Sequence, residues 1–492
     1  MRLAALAKAV DGLSSLNNRL NPVALAFVGS LILSLIAVWG VVTVGRDGAF
    51  YLHIAQQASV HGAAVAWELF DWPWLSLLLA ATHDLLHLPF EASAYLWSVL
   101  FIAGTCALMV DVVRRRAPHA AWWACAAVLS MPAMNQFRGD IIRESGFWFF
   151  CTLTLWLAMR WRRQGGWLLA AAVYVAVGLG SLFRLEAIVL GVAVVLACLP
   201  DLLQPGRRRF FAQIAVWPVL GAIVAALALL SVGDLQVRRW DFYMELVRPS
   251  ALFAAFEQLS RQFADSLVNP YSANEAGRII FIGLFASLLI KCVSLMGPTA
   301  LSLLWPRCWR ALAAYWREFR VAAVIAALYL AVLMLFFIRM QFINGRYISL
   351  LVLMLVPLLA LAMSLFSGRF PRLAKGVAAL ALLMMLANVI STGAPKTQYI
   401  EAGHWIAAHT PPDAAIYYED GRIAYYAGRG YTLSDLTREA VMDTALARSY
   451  RYFVVEAKPD EAWLQTWLQT HQAKVLAQFA NRKGNTMLVI GR

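Results

Sequence analysis

Charge is the first thing this chain lacks. Asp, Glu, Lys and Arg make up 14% of its 492 residues, hydrophobic residues make up 61%, and the mean hydropathy is +0.65. An ordinary soluble domain is about one quarter charged and about half apolar. The deficit excludes a soluble globular enzyme and points to a polytopic helical membrane protein. Acids are scarcest, 28 against 42 Lys and Arg, for a net charge of +14. So basic a balance raises nucleic acid as a partner. The Lys and Arg, however, fall in short clusters between apolar runs, as membrane topology requires, and no nucleic-acid partner is expected.

Cysteine is also scarce. The six (Cys106, Cys125, Cys151, Cys198, Cys292, Cys308) lie in or beside apolar runs, none in CxxC spacing. Neither a disulfide framework nor a zinc site is indicated. The chain has no GxSxG, no Walker A and no GxGxxG opening a helix, so soluble-type nucleophile and nucleotide mechanisms lack support. His53, His61, His83 and His87 share one segment without HExxH spacing. No internal repeat is evident, which gives an inverted-repeat transporter no support.

What the chain does have is apolar runs. The first, Asn21 to Val44, is too long for a signal-peptide core and reads as a retained span. The residues before it (Arg2, Lys8, Arg19) read as a short basic amphipathic segment. Further runs long enough to cross a bilayer fall near 92–111, 120–136, 145–161, 166–183, 186–203, 210–231, 278–305, 321–340, 346–366 and 373–392. Trp122, Trp167, Trp240 and Trp305 sit at run ends, as interfacial anchors do. With the N terminus inside, alternate loops carry Arg114–Arg116, Arg160/Arg162/Arg163, Arg207–Arg209, Arg307/Arg310/Arg317/Arg320 and Arg369/Arg372/Lys375. The positive-inside rule puts all of these in the cytoplasm. The expected fold is an all-α polytopic membrane domain of about eleven spans over 1–392, followed by a periplasmic domain over 393–492.

That last segment shifts toward polar composition. Helix-like stretches (Tyr399–His409, Thr437–Ser449, Asp460–His471) alternate with strand-like ones (Ala415–Glu419, Tyr452–Glu456, Lys474–Phe479, Thr486–Ile490), the pattern of a small α/β domain. Its Glu401 and His404 read as ordinary surface residues.

The unexplained charges fall on the opposite, outer face. Directly after the first run comes GRDGAFYLHIAQQ, Gly45 to Gln57. A carboxylate at the mouth of a span is costly unless solvated, paired or useful, which makes Asp47 the leading candidate; pairing with its neighbour Arg46 is the plainer alternative. Read as a helix, the stretch puts Asp47 and Tyr51 on one face. Pro73–Leu86 is too short to span and fits an interfacial amphipathic helix. FRGDIIRE packs Arg138, Asp140, Arg143 and Glu144 into seven residues. If helical, Asp140 and Glu144 share a face at i, i+4, with Arg143 at i+3. Two acids are weak grounds for a divalent cation, and a self-neutralising loop is the plainer reading. FRLE places Arg184 and Glu186 between two runs with almost no loop, and NGRY does the same for Arg346 and Tyr347, with Arg339 close by. Isolated guanidiniums there suit a phosphate or diphosphate head group. Snorkelling to membrane lipids is the alternative.

RDGAFYLHIAQ after one N-terminal span, then DWPWLSLLLA, FRGDIIRES, FRLEA and NGRYISLLVLMLVP, together resemble the GT-C membrane glycosyltransferases. The nearest in style are the bacterial protein O-mannosyltransferase-like and lipid A aminoarabinose transferase-like enzymes of the family 39 type. The likeness covers the whole layout, and its specificity lies in motif order and sidedness. It implies a bacterial inner-membrane enzyme. Such an enzyme passes a sugar from a polyprenyl-phosphate donor to a glycan, lipid or protein acceptor at the periplasmic face, with inversion. Asp47 would deprotonate the acceptor hydroxyl. Arg184 and Arg346, with Arg138 or Arg143, would hold the departing phosphate, and Tyr51 would orient substrate. Many relatives carry an acidic pair after the first span. Here Gly48 follows Asp47, which favours a metal-independent mechanism, so no cofactor is expected. A lipid-linked sugar flippase and a non-catalytic scaffold are the competing readings.

Overall fold

The structure, a computed structural model, describes residues 21–232, 248–390, 393–432, 436–442 and 445–492. Arg2, Lys8, Arg19 and Trp240 lie outside the described residues. Two compact bodies form, and neither follows chain order. The first gathers the described residues of 1–35 with Val99–Arg138 and Arg143–Val389, and the second gathers Ile36–Ser98, Gly139–Ile142 and Ile390–Arg492.

The first body is helical. Among the described residues, seven helices are long and apolar enough to cross a bilayer: Pro22–Trp39, Phe90–Arg116, Leu185–Leu203, Tyr271–Met296, Arg320–Met340, Gly345–Arg369 and Pro371–Val389. Four other expected runs hold helices Ala121–Ser130, Glu144–Gln164, Trp167–Phe183 and Arg208–Val232. Proline opens two of these helices, Pro22–Trp39 and Pro371–Val389, where its missing N–H is one the first turn leaves unpaired anyway. Before Pro22, Asn21 adds a cap, its Oδ1 accepting from Val23 N at 3.0 Å. Gly345–Arg369 is the hub, with 78% of its apolar window buried, against 17% for Pro371–Val389.

Two expectations need revision. The run 278–305 is not one helix: Ala276–Met296 stops at Gly297, which has φ +71°, and Pro298–Leu304 continues as a 3-10 stretch. Glycine reaches that φ without strain and the following proline disfavours continued helix. The loop Ser231–Gly277 is not all loop either, since Pro249–Ser266 is an 18-residue helix; residues 233–247 lie outside the described ones.

The second body joins the segment after the first span to the C-terminal residues. Its sheet has the order β1-β2-β4-β3 for β1 (Ile416–Tyr418), β2 (Tyr452–Glu456), β3 (Lys474–Ala480) and β4 (Thr486–Gly491). β1 runs parallel to β2, and β4 runs antiparallel to both β2 and β3. Strand side chains alternate between faces. Tyr452 and Val454 pack with helices Thr397–His409 and Gly421–Tyr426 through Tyr399, Ala402 and Ile423. Phe453 and Val455 pack oppositely with Leu464 and Trp467 of helix Ala462–Thr470. A sheet covered on both faces needs unbroken apolar runs, which FVV and MLVI supply. The strands lie where the sequence puts them, and helix Gly421–Tyr426 is the element it missed.

Candidate active site

Five of the residues singled out in the sequence meet in the first body. Glu144 is the first residue of Glu144–Gln164, Arg184 ends Trp167–Phe183, Glu186 lies in the single 3-10 turn Leu185–Ala187, and Arg346 and Tyr347 open Gly345–Arg369. Arg184 Nη1 donates to Glu144 Oε1 at 2.7 Å, and its Nη2 and Nε donate to Glu186 Oε1 and Oε2 at 2.5 and 3.3 Å. The Tyr347 ring lies 4.6 Å from the Arg184 guanidinium, and Phe147 lies 5.9 Å away. Arg346 Nε is 4.0 Å from the same Glu144 oxygen. Tyr329, absent from the sequence-derived set, is buried beside the group and donates to Tyr347 O at 3.1 Å. Arg143 faces Glu186 electrostatically. Three guanidiniums therefore stand around two carboxylates.

The opposite ends of the same helices carry the basic loops. Glu144–Gln164 ends in Arg162 and Arg163, and Gly345–Arg369 ends in Arg369. There Arg162 and Arg207 share Asp201 at 3.3 Å each. Arg114 meets Asp111 at 2.6 Å, Arg115 bonds the same carboxylate, and Trp156 donates to it. The Glu144–Arg184 group thus stands at the end away from the basic loops.

FRGDIIRE is not a helix. Residues 136–143 form no helix and Glu144 begins the next one, so the condition for Asp140 and Glu144 to share a helix face is not met. Gly139 fits closely against Val41, leaving 2.8 Å for an added Cβ. Arg138 is fully buried and donates to Asn135 Oδ1, Ser30 O and Oγ, and Ser34 Oγ at 2.7–3.1 Å. Asp140 belongs to the second body, where its Oδ1 lies 3.9 Å from an ideal Cβ on Gly45.

Beside the Arg346 turn, the first body has a cavity of about 500 Å³ lined by Gln136, Phe137, Lys291, Leu295, Phe342 and Asn344, among others. Lys291 Nζ donates to Ile343 O at 2.6 Å. Lys291, a cation deep in the apolar helix Ala276–Met296, is a signal the sequence carries that the candidate set lacks. A second cavity of about 500 Å³ takes in Arg339, with Gln258 and Gln262.

In the second body GRDGAFYLHIAQQ is helical, as its pattern suggests: Arg46–His61 carries Asp47 in its first turn. Helix Trp74–Leu86 packs on it, with Ser76 Oγ donating to Tyr51 O at 2.9 Å. Tyr51 is buried and its ring lies 6.1 Å from Phe70. The C-terminal residues close over the start of this helix. Arg46 Nη2 meets Asp420 Oδ2 at 2.9 Å, Val44 N donates to Tyr426 Oη at 2.8 Å, and Tyr425 Oη donates to Glu91 Oε1 at 3.1 Å. Asp420 also accepts from Arg422 Nε and Nη2 at 2.8 and 2.7 Å. Burial alone would push the Asp420 carboxyl up. The hydrogen bonds and charge of Arg422, with Arg46, outweigh it and hold it down to about 2.

Two solved structures are similar over nearly the whole chain. ArnT from Cupriavidus metallidurans, crystallised in the apo state, superposes with a TM-score of 0.58 at 15% identity, over 98% of each chain. The chain shares the fold of that structure. A second solved structure with this fold is the Archaeoglobus fulgidus oligosaccharyltransferase, tethered through a disulfide to an acceptor peptide containing the NVT sequon. It gives a TM-score of 0.54 at 12% identity, over 94% of this chain and 74% of that one. No family model and no curated protein matches the sequence. At such identities the likeness concerns fold, and fold alone does not assign chemistry.

Proposed function

We propose that the chain is an integral membrane glycosyltransferase. It moves a sugar from a polyprenyl-phosphate donor to a glycan, lipid or protein acceptor at the periplasmic face of the bacterial inner membrane, with inversion. One observation carries the reading: Arg143, Arg184 and Arg346 from three separate turns gather around Glu144 and Glu186 at the ends of apolar helices. Guanidiniums offer fixed, permanently charged donors for a phosphate. The adjoining cavity, with Lys291 and two amides beside Phe137, Leu295 and Phe342, suits an amphiphile with an anionic head.

In this mechanism Asp47 takes the proton of the acceptor hydroxyl, whose oxygen attacks the anomeric carbon opposite the phosphate. The bond from that carbon to the phosphate oxygen breaks and the polyprenyl phosphate leaves as an anion. Arg184 and Arg346 hold its growing charge, which is the interaction that lowers the barrier. Arg138 and Tyr51, buried within their bodies, support the fold in this reading and do not touch substrate. The domain bounds, 1–392 and 393–492, belong to the same proposal. A flippase would need charges along a path or at the bilayer midplane, and these sit at helix ends. A scaffold leaves the arginine cluster without a purpose.

The test uses vesicles reconstituted with the full chain, loaded with a polyprenyl-phosphate mannose labelled in the sugar, and supplied with envelope membranes as acceptor. Label should pass to the acceptor fraction, and Arg184→Ala should stop it. Label that crosses the bilayer still attached to its lipid would establish the flippase instead.

A further inference from the structure

The turn 339–346 lines both cavities of the first body. Its later residues, Phe342 to Gly345, line the cavity proposed for the donor. Its earlier ones, Arg339 and Gln341, line the other cavity, of about 500 Å³, for which the transfer reaction has so far no use. Across that space stands helix Pro249–Ser266, contributing Ala255, Gln258, Leu259 and Gln262. These are the i, i+3, i+4 and i+7 positions of one helical face. An amphipathic helix docks by an apolar face, and this one does so against Ala276–Met296. There Phe256 meets Phe281 edge-on at 6.4 Å, and Ser260 Oγ lies 3.3 Å from an ideal Cβ on Gly277. Toward Arg320–Met340 it presents two amides instead. Gln341 adds a third amide from a left-handed backbone, φ +51°, which ends Arg320–Met340 with its N–H on Phe337 O at 2.9 Å. Helices more often end on glycine at such an angle. Gln258, Gln262 and Gln341 are exposed, so solvent reaches them. Among the described residues that line the cavity, Arg339 is the one charge, and no aromatic ring takes part.

We propose that this cavity binds a saccharide bearing an acidic group, and that it receives the acceptor of the transfer reaction. A primary amide donates and accepts at once, which matches neighbouring sugar hydroxyls that do the same. A guanidinium offers a fixed fork for one carboxylate or phosphate. The volume falls within the range of roughly 300–1,000 Å³ usual for small-molecule sites. Ala255, Leu259 and Ile338 are the apolar lining, too little for a prenyl or acyl chain. The cavity on the later part of the turn has Phe137, Leu295 and Phe342 in its wall and suits the lipid-borne donor. One turn thus serves a lipid-linked sugar and a water-soluble acidic glycan. The acceptor role rests on the transferase reading, and the binding site does not.

The test needs neither donor nor turnover. The full chain is placed in nanodiscs of phosphatidylcholine, and isothermal titration measures binding of trehalose 6-phosphate, hyaluronan disaccharide, neutral trehalose and inorganic phosphate. At least one acidic sugar should bind about 10- to 100-fold more tightly than trehalose, the range for a hydrogen bond to a charged group. Which of the two binds tells phosphate from carboxylate. Arg339→Ala should remove that advantage and Arg339→Lys should restore part of it. Gln258→Ala and Gln262→Ala, at exposed positions that leave the fold undisturbed, should each weaken the acidic sugar by about 3- to 10-fold. Arg346→Ala, at the donor site, should leave this binding unchanged. Equal affinity for acidic and neutral sugars, or full binding by Arg339→Ala, would overturn the site. Inorganic phosphate binding as tightly as the sugars would overturn the saccharide. Loss of sugar binding when phosphatidylglycerol joins the nanodisc would give Arg339 to lipid head groups and overturn it too. Acidic-sugar binding by a chain that transfers no sugar would keep the site and overturn its acceptor role. Sugar transfer without acidic-sugar binding would overturn the site and leave the transferase reading intact.

Discussion

Glu144 Oε1 lies 2.7 Å from Arg184 Nη1 and 4.0 Å from Arg346 Nε. One carboxylate oxygen thus ties together the starts of two helices and the end of a third. Glu144 and Arg184 are 7% and 13% exposed at their side chains, so neither charge is left to water.

Removing one member of a buried ion pair is far more damaging than removing both. Glu144→Ala should destabilise the chain by about 3–5 kcal/mol, read as a fall in the denaturation midpoint in detergent micelles. The surface pair Arg261–Glu257, 76% and 65% exposed, is the control, and Glu257→Ala should cost below ~1 kcal/mol. Equal losses from the two substitutions would contradict the buried network.

Arg346 is proposed to hold phosphate through its planar, permanently charged guanidinium. Lysine keeps the charge and loses the fork. Arg346→Ala should therefore lower kcat/KM for a polyprenyl-phosphate sugar by about 10- to 100-fold, the range for a hydrogen bond to a charged group. Arg346→Lys should recover only part of this. Full recovery by lysine would reduce the contact to simple charge attraction.

The carboxyl of Asp420 is held down to about 2, below the ordinary 3.8. A depressed carboxyl gives stability that is present above its unfolded value and lost as pH falls through the folded one. Thermal unfolding should therefore show about 2 kcal/mol disappearing between roughly pH 4 and pH 2. Asp420→Asn should lack that step and sit lower at neutral pH. Arg46→Ala should do much less, because Arg46 is 63% exposed at its side chain.

Gly421 tests the packing of the C-terminal loop 427–432. An added methyl would meet the backbone oxygen of Thr432 at 2.7 Å, and backbone yields less readily than a side-chain tip. Gly421→Ala should displace Tyr431 and cost about 1–3 kcal/mol, whereas Gly376→Ala, where nothing lies within 4 Å, should be neutral. Amide exchange at residues 427–432 would report the displacement.

How far the sequence reaches depends on the range of each interaction. The spans were legible because lipid demands long apolar runs, and the strands because a sheet covered on both faces demands short ones. Arg184, Glu186, Arg346 and Glu144 were legible individually, each a charge at the edge of an apolar run. Their meeting was not, since it depends on packing between helices. FRGDIIRE was legible as a turn between two spans, but the burial of Arg138 against Ser30 and Ser34 was not, because it depends on packing between helices. The end of the helix at Met296 hung on a single Gly-Pro step. Tyr431 and Asp420 lie far along the chain from helix Arg46–His61, against which they pack, and no local signal marks them.

The central claim is that this chain moves a sugar and that Asp47 does the chemistry. The most direct measurement is mass spectrometry of envelope glycolipids and glycoproteins from three otherwise identical strains, carrying the native chain, no chain, or Asp47→Asn. The account predicts one or more sugar-modified species in the first strain, missing from the second and third although Asp47→Asn is present in the membrane at normal amount. Identical profiles in all three, or full modification with Asp47→Asn, would contradict it.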